Sequence, residues 1–265
     1  MNSTRPESDQ NRQPRGAEPE GTCLVGLIGR GIQASKSPTL HESEATAQGL
    51  RLSYELMDLD ERGGERLPDL LDEAERRGFA GLNITYPCKQ AVIPLLHELS
   101  EEAKAVGAVN TVHFSSGRRV GYNTDAFGFE ESCRRGLQGA SLTHVVQVGA
   151  GGAGAATAFA LLRLGVRRLS IVDTDFERAR MLAGTLAKHF ENPDVSAVRD
   201  RDLAQVLAGA AGIVNSTPMG MEKHPGSAVP AGLLRADLWV TDIVYFPIET
   251  QLLRRARAEI GRAHV

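Results

Sequence analysis

The chain has 265 residues and a mass of 28.5 kDa, enough for one large domain or two modest ones. Hydrophobic residues make up 42% and charged residues 24%, as in soluble globular proteins, and a formal net charge of −3 gives no overall field for nucleic acid or an anionic membrane. Three widely separated cysteines, Cys23, Cys88 and Cys133, form neither a disulfide framework nor a zinc pattern, which favours a reducing cytoplasmic location without a metal site.

Residues 1–21 are predicted to be a disordered tail. Their only apolar side chains are Met1 and Ala17, so the segment cannot bury enough surface to offset its ordering entropy. It also has no apolar stretch of the kind that marks a secretory signal. A membrane span is not expected either, because the uncharged run Val145–Leu162 begins like a strand and is interrupted by glycines.

The first half predicts a mixed α/β domain over residues 22–125. Buried strands are expected at Cys23–Ile28, Tyr54–Leu59 and Phe79–Ile84, and a hairpin at Asn110–Phe114 and Arg119–Tyr122. A first helix is expected to start at Ser37 and Pro38, because serine can cap a helix and proline suits its first turn. Two further helices are expected over Leu67–Arg77 and from Pro87 toward Leu96.

After Asp125 the pattern changes to a regular alternation of strands and helices. Strands are predicted at His144–Val148, Arg168–Val172, Gly212–Asn215 and Leu238–Tyr245, and helices at Ala153–Leu164 and Phe176–Phe190. Alternation with elements of these lengths is typical of a parallel, doubly wound sheet. We therefore expect a Rossmann-type domain over residues 126–258.

A glycine motif in this second half predicts a dinucleotide site. The motif, Gly149-Ala150-Gly151-Gly152-Ala153-Gly154, follows a predicted strand and opens a predicted helix, where a pyrophosphate would meet the helix N-terminus. Asp173 ends the next strand and Asp175 follows two residues on. A carboxylate there accepts hydrogen bonds from the adenosine ribose diol and repels a 2′-phosphate. The alternative interpretation is a structural glycine turn followed by a helix-capping aspartate.

The first half carries polar residues at the predicted strand and loop ends. They occur in four segments: Ser35-Lys-Ser37-Pro38, Asn83-Ile-Thr85-Tyr-Pro87-Cys-Lys89, Gly107-Ala-Val-Asn110-Thr and Gly121-Tyr-Asn123-Thr-Asp125. Together they suit a small molecule that carries hydroxyls and a carboxylate. Taken singly, each residue has a structural explanation as a cap, a turn former or a surface lysine.

As a set, these motifs resemble the shikimate dehydrogenases and the related quinate/shikimate dehydrogenases over residues 23–258. Two later segments join the resemblance, Asn215-Ser-Thr-Pro-Met-Gly220 and Asp242-Ile-Val-Tyr245-Phe-Pro247-Ile-Glu-Thr250. The resemblance implies hydride transfer between NAD(P) and shikimate, with Lys89 and Asp125 as the catalytic pair. It also implies substrate contacts from Ser35, Ser37, Thr85, Asn110, Asp125 and Tyr245, and cofactor contacts from the glycine motif, Thr217 and Met219.

The sequence departs from that family in two places. Members that use NADP usually have an Asn-Arg-Thr-like segment where this chain has Asp173-Thr174-Asp175, so NAD is expected rather than NADP. The family also continues with a further strand and a helix that carries a substrate-binding glutamine. Residues 259–265 resemble a translated sequencing adapter instead, and are therefore interpreted as a non-native end.

Several alternatives remain open from the sequence. The chain could prefer quinate to shikimate, or be an inactive NAD-binding module, although Lys89 and Asp125 argue against inactivity. A folate-linked dehydrogenase is less consistent with the hydroxyl-rich motifs, because a pterin needs a larger, aromatic-lined slot. The expected assembly is a monomer or homodimer.

Overall fold

The computed structural model describes residues 21–61, 66–259 and 263–264, the last two by their backbone alone. Its strands are β1 (Cys23–Gly29), β2 (Leu52–Asp58), β3 (Gly81–Ile84), β4 (Glu98–Leu99), β5 (Thr111–Ser115), β6 (Arg118–Tyr122), β7 (Val145–Val148), β8 (Arg168–Asp173), β9 (Asp194–Arg199), β10 (Gly212–Asn215), β11 (Trp239–Asp242) and β12 (Ala263–His264). Its helices are α1 (Ser37–Ala47), α2 (Leu67–Arg76), α3 (Cys88–Ala91), α4 (Glu101–Val106), α5 (Asp125–Gly136), α6 (Gly152–Arg163), α7 (Phe176–His189), α8 (Leu203–Leu207) and α9 (Gln251–Glu259).

The first six strands form one mixed sheet in the order β2-β1-β3-β5-β6-β4. Strand β1 is parallel to both β2 and β3, whereas β5 is antiparallel to β3 and β6. The predicted hairpin is confirmed, and its turn residues Ser116 and Gly117 both have positive φ, which matches the twist of the two strands. The carboxyl ends of β1, β2 and β3 lie at one edge, from which the connections to α1 and α3 start.

The last six strands form a second, parallel sheet in the order β12-β11-β10-β7-β8-β9. Numbered from β7, this is the strand order of a Rossmann-type sheet, so the predicted doubly wound fold is confirmed. The order reverses between β7 and β10, and ligands of such sheets bind at the carboxyl ends of the strands at this point. The glycine motif follows β7 directly.

Apolar side chains cover both faces of the second sheet, as the strand–helix alternation predicts. One cluster packs α6 and α7 against Leu169, Ile171 and Trp239, and it includes Val106 and Ala108 from the first half of the chain. The other cluster packs α8 and α9 on the opposite face. Because α4 also contacts α6 and α7, the two sheets are joined by packed side chains as well as by α5.

Several elements differ from the predictions. Ser37 does not cap α1 but is its first residue, and its hydroxyl interacts with Ser35 instead of a backbone N–H. The helix from Pro87 ends at Ala91 and passes into a 3₁₀ turn that contains Pro94. The strand predicted over Leu238–Tyr245 is limited to β11. The structure also has elements that were not predicted, namely α4, α5, α8, α9, β4, β9 and β12.

Parts of the predicted termini lie outside the described residues. Gly21 is the only described residue of the predicted tail. In the predicted non-native end, the described residues are Glu259 and the two residues of β12, a strand that pairs with β11. Among the described residues, no helix combines the length and apolar character that crossing a membrane requires.

Candidate active site

Lys89 and Asp125 form an ion pair at the edge of the first sheet. Lys89 lies in α3 and Asp125 begins α5, and Lys89 Nζ donates to Asp125 Oδ2 at 2.6 Å although the residues are 36 positions apart. Their side chains are 16% and 33% exposed, so the pair is shielded but reachable. The ammonium has two further N–H groups, which leaves it able to contact a substrate oxygen. The fold thus brings together the two residues for which the resemblance implied catalysis.

Asn110 holds the carboxylate of this pair in place. Its Nδ2 donates to Asp125 Oδ1 at 2.8 Å and to Thr124 Oγ1 at 2.8 Å. Its Oδ1 accepts from the Thr124 backbone N–H at 3.1 Å and from Thr111 Oγ1 at 3.1 Å. With both ends of the amide engaged, Asn110 orients Asp125 and leaves the Lys89–Asp125 pair little freedom to rearrange.

The two serines of the first motif meet a residue that the sequence did not indicate. Ser35 Oγ donates to Ser37 Oγ at 3.2 Å, and the Ser37 hydroxyl lies near enough to Tyr54 in β2 to influence the pKa of its phenol. Burial raises the pKa of Tyr54 to about 12, the Ser37 hydrogen bond opposes this rise, and nearby Tyr245 adds to it. Tyr54 therefore stays neutral at physiological pH and acts as a hydrogen-bonding group beside the serines.

Tyr54 also joins the serines to the catalytic pair. Its hydroxyl donates to Asn83 Oδ1 at 2.7 Å, and Asn83 Nδ2 donates to Thr111 Oγ1 at 3.3 Å. Since Thr111 bonds to Asn110, side-chain hydrogen bonds run from Tyr54 through Asn110 and Asp125 to Lys89. The signal in the sequence was a single hydroxyl-bearing aromatic residue in strand β2.

Two further residues predicted to contact substrate lie around this series. Thr85 follows β3, and its methyl group packs so closely on Gly29 that a Cβ there would lie 2.3 Å from it. Tyr245 follows β11 in the second half, is 66% exposed, and affects the pKa of Tyr54. Tyr245, from the second half of the chain, thus lies close enough to influence Tyr54 of the first half, and the contacts of Thr85 and Tyr245 with substrate stay predictions.

The glycine motif has the geometry that a pyrophosphate requires. Gly149 has a φ of 106°, and a Cβ at this position would lie 2.8 Å from the Ser216 carbonyl. A Cβ on Gly154 would lie 2.3 Å from the Gly149 oxygen, so a side chain is excluded there too. Nothing lies within 4 Å of a Cβ built on Gly151. The backbone at the N-terminus of α6 is therefore accessible to a ligand, and anion binding at a helix terminus requires such access.

A buried glutamine beneath the motif fixes its shape. Gln147 is fully buried, and its Nε2 donates to the carbonyl oxygens of Gly149 at 2.9 Å and Gly154 at 2.8 Å. Thr157 Oγ1 donates to Gln147 Oε1 at 2.8 Å and also contacts Ser216 Oγ at 2.8 Å. The sequence hinted at this only through one polar residue in a strand of valines.

Asp173 lies beside the glycine motif, at the end of β8. Its Oδ2 accepts from the Ala150 backbone N–H at 2.7 Å, and its Oδ1 accepts from the Asp175 N–H at 2.9 Å. Asp175 Oδ1 accepts from the Glu177 N–H at 3.1 Å, so Asp175 caps α7. The alternative interpretation of a helix-capping aspartate thus applies to Asp175, and its contact with a cofactor stays a prediction.

The predicted cofactor residues Thr217 and Met219 follow β10 in a tight turn. Asn215 Oδ1 accepts from Thr217 Oγ1 at 2.7 Å, and Asn215 Nδ2 donates to the Met219 carbonyl at 3.0 Å and to Asp242 Oδ1 at 2.9 Å. Burial raises the pKa of Asp242, while hydrogen bonds including one from Thr250 oppose that rise. This buried network holds the turn against the end of β11.

The glycine motif and Lys89 are in direct contact. A Cβ built on Gly152, the first residue of α6, would lie only 2.7 Å from Lys89 Cβ. The glycine at this position therefore lets the start of the helix approach the lysine. A dinucleotide held by the motif would therefore lie next to Lys89.

A two-sheet structure with a Rossmann half, an open glycine motif and an adjacent lysine–aspartate pair defines an NAD(P)-dependent oxidoreductase. Residues 27–112 match the family model described as the shikimate dehydrogenase substrate binding domain. A shikimate dehydrogenase (NADP(+)) of Streptomyces avermitilis is 53% identical over 90% of this chain and 83% of its own length. The chain belongs to the shikimate dehydrogenase family.

Similarity to Corynebacterium glutamicum was found both among curated relatives and among solved structures. Its quinate/shikimate dehydrogenase (NAD(+)) is 48% identical over 89% of this chain and 85% of its own length. A solved structure titled quinate dehydrogenase in complex with NAD superposes with a TM-score of 0.83 at 46% identity, covering 92% of this chain and 87% of the other. The relatives thus include proteins named for either cofactor.

Proposed function

We propose that this protein oxidises the ring hydroxyl of shikimate to the 3-keto product, and reverses that reaction, with a nicotinamide dinucleotide as the hydride carrier. The observation that carries the proposal is the Lys89–Asp125 pair at 2.6 Å, packed against the first residue of the cofactor-binding helix. The names of the relatives support the same substrate class. Quinate is the alternative substrate, which the quinate/shikimate relative from Corynebacterium glutamicum favours.

Lys89 is the proton-handling residue of this proposal. In the oxidation direction the neutral amine accepts the proton of the substrate hydroxyl, and in the reduction direction the ammonium returns it. The bound cofactor supplies the hydride chemistry itself. Asp125 holds Lys89 in position and balances its positive charge, and Asn110 fixes Asp125. The serines of the first motif, supported by Tyr54, orient the ring so that its hydroxyl faces Lys89.

NAD is the proposed preferred cofactor. The Asp173 carboxylate lies where the adenosine ribose diol is bound in Rossmann-type sheets, and a 2′-phosphate would be repelled by it. The contacts with Ala150 and Asp175 hold the carboxylate in this place rather than letting it turn away.

Steady-state rates with shikimate and quinate, each with NAD and NADP, test the proposal. We expect reduced nicotinamide to form with shikimate or quinate, and higher kcat/KM with NAD than with NADP. Lys89→Met serves as the inactive control. Binding of NAD without turnover of either substrate would instead identify an inactive NAD-binding module, and the proposed reaction would then be wrong.

A further inference from the structure

Arg199, the last residue of β9, lies beside Asp173 at the adenosine end of the Rossmann sheet. The two residues are register partners in the parallel pairing of β8 and β9, so their side chains start from the same face of the sheet. The Arg199 guanidinium carbon lies 4.2 Å from the centroid of the Phe176 ring, the first residue of α7. Arg199 is exposed, so the other face of its guanidinium is open to a ligand.

The neighbouring arginines are already paired with carboxylates. Arg178 lies 3.3 Å from Asp175, and Arg180 lies 2.7 Å from Glu177. Arg199, by contrast, makes no ion pair with any residue that the structure describes. Among the described arginines at this edge, Arg199 is therefore the one whose charge a phosphate could neutralise without first breaking an ion pair.

The chemistry of this group fits a phosphate monoester. A guanidinium presents a planar fork of N–H donors that matches phosphate oxygens and stacks on aromatic rings. Stacking on Phe176 restricts the side chain before a ligand arrives, which lowers the entropy lost on binding. The phosphate group that a dinucleotide can place beside Asp173 is the 2′-phosphate of NADP, because Asp173 faces the ribose diol.

We propose that Arg199 is a cofactor-specificity residue that binds the 2′-phosphate of NADP and offsets its repulsion by Asp173. The chain then prefers NAD but still accepts NADP. This inference rests on the proposed dinucleotide-dependent function. Asp173 ends one strand of the sheet, and Arg199 reaches the site from the neighbouring strand.

Calorimetric titration with two fragments, 2′,5′-ADP and ADP, tests the proposal without the catalytic reaction. We expect Arg199→Gln to weaken binding of 2′,5′-ADP by about tenfold or more, the effect of losing a charge-assisted hydrogen bond, and to change ADP binding far less. The matched control is Arg201→Gln, which removes an exposed arginine two residues further on. We expect it to leave both affinities unchanged.

Four outcomes would overturn the role of Arg199. In the first, Arg199→Gln keeps its affinity for 2′,5′-ADP, and in the second it loses affinity equally for both fragments. In the third, the unmodified protein binds ADP but not 2′,5′-ADP. In the fourth, Arg178→Gln, and not Arg199→Gln, selectively loses affinity for 2′,5′-ADP. Equal losses would identify an adenine platform rather than a phosphate contact. If the unmodified protein bound neither fragment, the proposed dinucleotide-dependent function would fail together with this inference, whereas the other outcomes leave that function intact.

Discussion

Replacing Gly152 by alanine tests the contact between the cofactor motif and the catalytic lysine. The added Cβ would lie 2.7 Å from Lys89 Cβ. Carbon atoms in favourable contact lie about 3.5–4.0 Å apart, so one side must move by roughly 1 Å. Because Lys89 Cβ is bonded directly to the backbone, rotating the side chain cannot remove the clash. The start of α6 and α3 must therefore separate.

The expected consequence is a loss of turnover. A displacement of about 1 Å between groups that position a reaction can reduce the rate by about 10²-fold. We expect Gly152→Ala to lower kcat by about that factor and to leave KM for shikimate little changed, because the serines and Tyr54 are remote from the added methyl group. Steady-state assays with saturating NAD measure both constants.

Gly184 in α7 provides the matched control. A Cβ at that position meets nothing within 4 Å, so Gly184→Ala adds the same methyl group without a clash. In an open helical site this exchange stabilises by up to about 1 kcal/mol, so we expect a higher Tm and normal kcat. If Gly152→Ala gave the same result as Gly184→Ala, the proposed contact with Lys89 would be refuted.

Three other substitutions test the remaining parts of the site. Lys89→Met should lower kcat by a factor of about 10² or more, because proton transfer is lost. The control Lys104→Met, which removes a lysine from an exposed ion pair, should leave kcat unchanged, and equal activities of the two variants would disprove the catalytic role of Lys89. Asp173→Ala with Thr174→Arg should raise the NADP-to-NAD ratio of kcat/KM, and an unchanged ratio would contradict the repulsion argument. Tyr54→Phe should raise KM for shikimate more than it lowers kcat. Since the folded-state pKa of Tyr54 is raised from 10.0 to about 12, the free energy of unfolding should fall as pH rises through this range, and Tyr54→Phe should lack that fall in denaturant titrations.

Local patterns were enough to predict much of the second sheet. The strand before the glycine motif and the helix after it are both present, and the Asp at the end of the next strand lies where the motif requires. These features depend on residues close together in the chain, because periodicity and turn chemistry are local properties. The unpredicted elements are short or partly polar, such as α8 and the edge strand β9, whose patterns do not differ enough from loops. Helix α4 did carry a local signal, since Ser100 caps it with a hydrogen bond from Ala103.

The sequence by itself therefore determined the family motifs, the candidate site residues, whose roles stay predictions, and the dinucleotide-binding fold. Only the tertiary structure decided which of these residues meet. The Lys89–Asp125 pair, the approach of Gly152 to Lys89 and the position of Arg199 beside Asp173 all join separate elements. Such contacts follow from the order of strands in each sheet and from the packing of α4 and α5 between the sheets. Strand order depends on long-range pairing, which no local pattern in a single sequence specifies.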